Sequence, residues 1–202
     1  MDIDTHLRNA FRFIKEEPLY AILGSLIVLV MNVATIGLLS GPIIGGYFIG
    51  VLKFVRDDQK PVLNDLFAGF QRLGYLFSFI LVSILTIFGF LLLVIPGLVM
   101  MTWWIYVLLL MIDTNMPLSQ AMAVSRKKVQ EKGFFRHFVF IAMLAVLPTL
   151  IINLLALFLP PLKLLQLVVM PIQSACVVSL YVEQFSRTAP PPMVEIPSTN
   201  GQ

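Results

Sequence analysis

Four long stretches of the chain carry no charge: Pro18 to Leu52, Leu73 to Ile112, Phe138 to Leu162 and Leu164 to Val182. A helical membrane crossing takes about 20 apolar residues. Each of the first two stretches is therefore long enough for two crossings, and each of the last two for one. The pattern predicts an all-α, polytopic transmembrane bundle of six spans arranged as three hairpins: Leu19 to Leu38, Gly41 to Val55, Leu73 to Ile95, Leu98 to Ile112, Phe138 to Leu159 and Leu162 to Phe185. Gly41 with Pro42, Pro96 with Gly97, and Pro160 with Pro161 supply the three turns. Proline disfavours helix at the residue before it, and glycine tolerates the turn. The second span covers only about 22 Å at ~1.5 Å per residue, so both a full crossing and a re-entrant segment fit it.

Three polar stretches separate the apolar ones. Residues 1–17 place Ile3, Leu7, Ala10, Phe11 and Ile14 at helical spacing opposite Arg8, Arg12 and Lys15, after Asp4 or Thr5 as an N-cap. This predicts an interfacial amphipathic helix. Between Lys53 and Arg72, Asn64 or Asp65 is placed to cap a short surface helix. After Asp113, the run from Pro117 to Lys132 predicts another, ended by Gly133. The spans occupy residues 18–187. Residues 188–202, rich in proline and small polar residues, predict a disordered tail.

Charge adds an orientation. Of the 14 lysines and arginines, this layout puts all but Lys163 on one side. Basic residues in short loops favour the cytoplasmic side, so both termini are expected in the cytoplasm of a bacterial inner membrane. The amino terminus has no short apolar core before a small-residue cleavage site, which predicts no cleavable leader. With 58% hydrophobic and 12% charged residues, the composition is far from a soluble domain at about 25% charged. The net charge of +3 sits at membrane borders without an aromatic stripe, which argues against nucleic acid as a partner. The partners it predicts are the bilayer and anionic lipid head groups beside the basic loops.

Catalytic patterns are sparse. The two histidines, His6 and His137, fall at the expected cytoplasmic border, and the single cysteine, Cys176, lies deep in an apolar run. They assemble into no metal-ligand cluster and no disulfide scaffold. Ser125 and Lys128 match a serine-x-x-lysine spacing that a basic surface run produces by chance. The chain is therefore expected to be no enzyme and to hold no metal or cofactor.

Two features at membrane depth stand out instead. Gly37, Gly41 and Gly45, followed by Gly46 and Gly50, form small-xxx-small pairs that predict close helix packing, within the chain or against a second copy or another membrane protein. On that reading Gly46→Leu is more harmful than Gly69→Leu. Pro148 and Pro171 lie at similar distances from the Pro160–Pro161 turn, roughly 15–18 Å at ~1.5 Å per residue. With Asn153, Gln166, Gln173 and Ser174 nearby, they outline a polar seam of the kind interrupted helices form in transporters. The seam requires Asn153 or Gln173 to face the interior. No carboxylate or histidine accompanies it at midplane to couple ions.

The run GPIIGGY, then LFAGF after a charged loop, then LLLVIPGL, then Asp113 with Pro117, Ala121 and Ser125 before a basic helix, resembles the YciC-like bacterial membrane proteins, and also the membrane domain beside some glycerophosphodiester phosphodiesterases. The likeness covers Leu19 to Phe185. It implies a multi-pass membrane protein of unassigned activity, and the phosphodiesterase domain itself is absent from these residues. The function this points to is a non-enzymatic scaffold, assembly or regulatory factor at the inner membrane. The alternative is a small-solute transporter or channel with its site between spans five and six.

Overall fold

The computed structural model describes residues 3–35, 39–71, 77, 80–82, 84–85 and 94–185. Span three, Gly37 and the 188–202 tail fall wholly or mostly outside them. The described residues are helical, with no strand among them. In chain order the helices are α1 (Ile3–Glu16), α2 (Pro18–Ala34), α3 (Ser40–Asp57), α4 (Asp65–Ala68), α5 (Val94–Trp103), α6 (Val107–Thr114), α7 (Leu118–Lys132), α8 (Phe134–Ile141), α9 (Leu147–Ala156) and α10 (Gln166–Phe185).

Three helical stretches are long and apolar enough to cross a membrane: Pro96–Thr114, Phe134–Ala156 and Pro161–Phe185. Only 17% of the apolar window in the second is buried in the protein. Leu147, Leu150, Ile151 and Leu154 lie on its outside, as surface in contact with hydrocarbon would. A fourth crossing arises if α1 and α2, bent by 96° at their junction, count as one. Pro18 opens α2, a first-turn position where its missing N–H has no helical partner to lose.

The α2–α3 hairpin is built on reciprocal exchange of tyrosine for glycine. A Cβ on Gly50 would lie 2.0 Å from the Tyr20 hydroxyl, and one on Gly24 would lie 2.8 Å from the Tyr47 ring. Each tyrosine thus fills the gap the other helix leaves, and the two rings stack at 5.5 Å. The Tyr20 hydroxyl donates to the Tyr47 carbonyl at 3.3 Å, which leaves the buried phenol satisfied.

The stretch after α3 turns back along it. Asp58 adopts a left-handed conformation (φ 53°) that ends α3. The chain then brings Asp65 to 2.5 Å from the Lys53 ammonium and the Leu66 carbonyl against Gly46. The Asp65 carboxylate also accepts from the Val62 N–H at 3.0 Å. Gly69 is held as tightly as Gly46, because a Cβ there would lie 2.0 Å from the Pro42 carbonyl oxygen. This corrects the expected contrast between the two glycines. The pairing of α4 with α3 was hidden because its contacts are backbone to backbone and leave no apolar period.

Pro96 and Gly97, expected as a turn, lie inside α5. A helical irregularity falls at Trp104 to Tyr106, between α5 and α6 and inside the apolar stretch Pro96–Thr114. Helix α7 packs along both segments with Ala121, Ser125 and Val129 buried. The Ser125 hydroxyl lies at this irregularity, donating to the Trp103 carbonyl at 2.7 Å and accepting from the Tyr106 N–H at 3.3 Å. Arg126 lies over the Trp103 ring and Lys128 over the Phe185 ring, clipping α7 on both flanks. Gly133 ends α7 as expected, at φ 101°.

Candidate functional site

The last two turns of α10 collect polar side chains from five other helices. Helix α1 contributes His6, whose Nδ1 lies 2.9 Å from the Ser179 hydroxyl and whose Nε2 lies 3.0 Å from a Glu183 carboxylate oxygen. Asn9 donates to the same hydroxyl at 2.8 Å. One turn earlier on α10, the Cys176 thiol donates to the His6 carbonyl at 3.5 Å. Ala10 and Phe13 follow His6 at helical spacing and are fully buried. Helix α1 therefore presents this face to α10 and a different one outward.

A second histidine reaches α10 from the other side. The Nδ1 of His137 lies 2.9 Å from the Gly133 carbonyl, which accepts hydrogen only and so assigns the N–H to Nδ1. Its Nε2 lies 2.9 Å from both the Tyr106 hydroxyl and the Gln184 amide nitrogen. Tyr106 itself packs against Tyr181 and Phe185.

The third connection is ionic. The Tyr181 hydroxyl donates to Asp113 of α6 at 2.8 Å, and the other oxygen of Asp113 accepts from Arg56 of α3. Arg56 lies at the end of α3, outside the three long apolar helices. Hydrogen bonding to Asp57 raises its pKa, partial burial opposes this, and Asp113 raises it further, so the guanidinium stays charged. Residues 176–185 of α10 thus fasten α1, α3, α6, α7 and α8 at one end of the bundle.

No family model, curated protein or solved structure matches the chain.

Ser179, His6 and Glu183 stand in the hydroxyl–imidazole–carboxylate order of a nucleophile relay. Here Ser179 is buried beneath α1, and its oxygen already accepts the Asn9 amide. In that setting the relay joins two helices. In the sequence His6 is a border residue outside the apolar set Ile3, Leu7, Ala10, Phe11 and Ile14, so nothing there joins it to Ser179. The spacing of His6, Ala10 and Phe13 was the available signal.

The seam residues divide. Gln173 reaches across to the facing helix, donating to the Leu144 carbonyl at 3.0 Å, the Ala145 carbonyl at 3.3 Å and the Thr149 hydroxyl at 3.2 Å. Leu144 is four residues before Pro148, whose ring nitrogen has no hydrogen to give it, and residues 142–146 form a π-helical turn. Gln173 therefore supplies the donor that Pro148 removes. Pro171 and Ser174 are buried on the same helix. Asn153 is exposed and folds back onto the Thr149 carbonyl at 2.8 Å. The Gln166 amide oxygen is buried without a hydrogen-bond partner among the described residues.

Of the glycines, Gly46 and Gly50 are filled from within the chain, by Leu66 and Tyr20. Gly45 meets Ile112 at an ordinary 3.5 Å, and Gly41 is buried.

Proposed function

We propose that this chain is a non-enzymatic integral membrane protein of the bacterial inner membrane that scaffolds, assembles or regulates a partner at the cytoplasmic leaflet. The observation that carries this reading is the hub at the end of α10. Its histidines, Tyr181 and Asp113 join helices to one another, as a rigid platform requires. The Gln173 amide is likewise committed to the backbone of the neighbouring helix, which favours a platform over a solute path between the last two spans. The resemblance to YciC-like proteins agrees with it.

The layout that goes with this function is six spans in three hairpins with both termini cytoplasmic, and basic loops against anionic lipid. Asp58 and Gln130 are exposed and report on it. Single cysteines there, in a Cys176→Ala background, are expected to resist an impermeant thiol reagent in intact cells and to react after permeabilisation. Labelling of either in intact cells would overturn the orientation.

Function is tested by purification in mild detergent with identification of co-purifying protein. A stoichiometric protein partner supports the platform. Solute uptake into proteoliposomes holding this chain alone would instead establish the transporter.

A further inference from the structure

Helix α1 has two apolar faces, and only one is covered. His6, Ala10 and Phe13 are buried against α10. On the adjoining face Ile3 is 49% and Phe11 59% exposed, with Leu7 and Ile14 partly buried between the two faces. Arg8 and Lys15, three residues before and four after Phe11, stand beside it on the helix surface. Both are exposed and form no ion pair among the described residues. Arg12, by contrast, is taken by Glu16 and Asp58 and lies over the Phe54 ring.

The elbow at Glu17 gives this face its direction. Helix α2 exposes Leu19, Leu26, Val30 and Val33 along its length, the surface of a helix standing in hydrocarbon. With α2 along the membrane normal, the 96° bend between the two helices would set α1 in the plane of the bilayer. The bonds from His6 and Asn9 to Ser179 set its rotation, since both come from the protein-facing side.

We infer that α1 is an in-plane lipid-binding helix that seats Phe11 and Ile3 at the boundary between headgroups and acyl chains, with Arg8 and Lys15 on the phosphates of anionic phospholipid. This rests on the membrane reading above and adds the rotation of the helix, and with it the side chains that meet the acyl chains and the phosphates. An aromatic anchor between cations on a helix of this orientation gains from apolar burial and from attraction to a negative leaflet together.

The test uses the full chain in nanodiscs, where only lipid and the encircling belt accompany it. Nitroxide labels are placed by Phe11→Cys and, on the polar side, Thr5→Cys, each with Cys176→Ala. The Phe11 label is expected to be relaxed mainly by oxygen and the Thr5 label mainly by a water-soluble nickel reagent. Equal access of the nickel reagent to both would overturn the seating. In a second arm, Arg8→Ala with Lys15→Ala is expected to lower the preference for phosphatidylglycerol over phosphatidylcholine by about thirtyfold. An unchanged preference would overturn the phosphate contact. Neither arm depends on a protein partner, so failure here leaves the platform standing, and failure of the platform leaves these results readable.

Discussion

Gly46→Leu is expected to abolish the stably folded protein. The first carbon of any side chain at Gly46 would lie 1.9 Å from the Leu66 carbonyl oxygen and 2.4 Å from its carbon. The obstacle is backbone, so no rotamer change relieves it. Either α4 leaves α3 or the hairpin opens, and the ion pair between Lys53 and Asp65 is broken with it. A loss of about 4–5 kcal/mol, at the extreme of single substitutions, is the expected scale. Gly69→Leu, facing the Pro42 carbonyl, should be as damaging. Thermal unfolding in detergent checks both. Gly45→Leu, which meets only the end of the Ile112 side chain, should cost clearly less, and an equal loss at all three positions would show that general crowding of α3 decides.

Gln173→Leu carries the second large effect. It strips the donor from the Leu144 and Ala145 carbonyls in an apolar setting. Leaving an acceptor without a donor away from water costs about 1–3 kcal/mol. The partner variant Pro148→Ala restores a backbone N–H that can serve Leu144. In that background Gln173→Leu should therefore cost less by about 1 kcal/mol, the signature of two residues acting on one group. Strictly additive losses would mean that the amide serves packing alone. Asn153→Leu, on the exposed side of the same helix, should change stability little.

How much of this was legible beforehand varied with the kind of contact involved. The helical character, the long apolar stretches after Leu98, the end of α7 at Gly133 and the polar role of Gln173 all follow from period, charge or proline chemistry. They are local signals, carried by the residues that use them. The packing of α4 on Gly46 was not legible, because it joins carbonyl to glycine and any sequence with a small residue there looks the same. Ser125 was seen only as part of a chance motif, since nothing local reveals that the helix is irregular at Trp104. The hub escaped for a different reason. His6, Ser179 and Glu183 are unremarkable in their own segments, and only the placement of α1 across α10 makes them a unit. Asn153 and Gln173 had equal claims on the seam from spacing alone. The π-helical turn at residues 142–146 and the side-chain directions that come with it separate them.

The clamp between α1 and α10 also bears on synthesis. His6 and Ser179 are separated by 173 positions, so α1 leaves the ribosome well before the helix it docks on. At about 5–20 residues per second, that interval is roughly 10–35 s, during which the His6, Ala10 and Phe13 face of α1 has no helix to cover it. Docking of α1 on α10 is then a late step of assembly. A nascent chain halted before Ser179 would carry its amino-terminal helix undocked and open to quality control, however well the preceding spans had inserted.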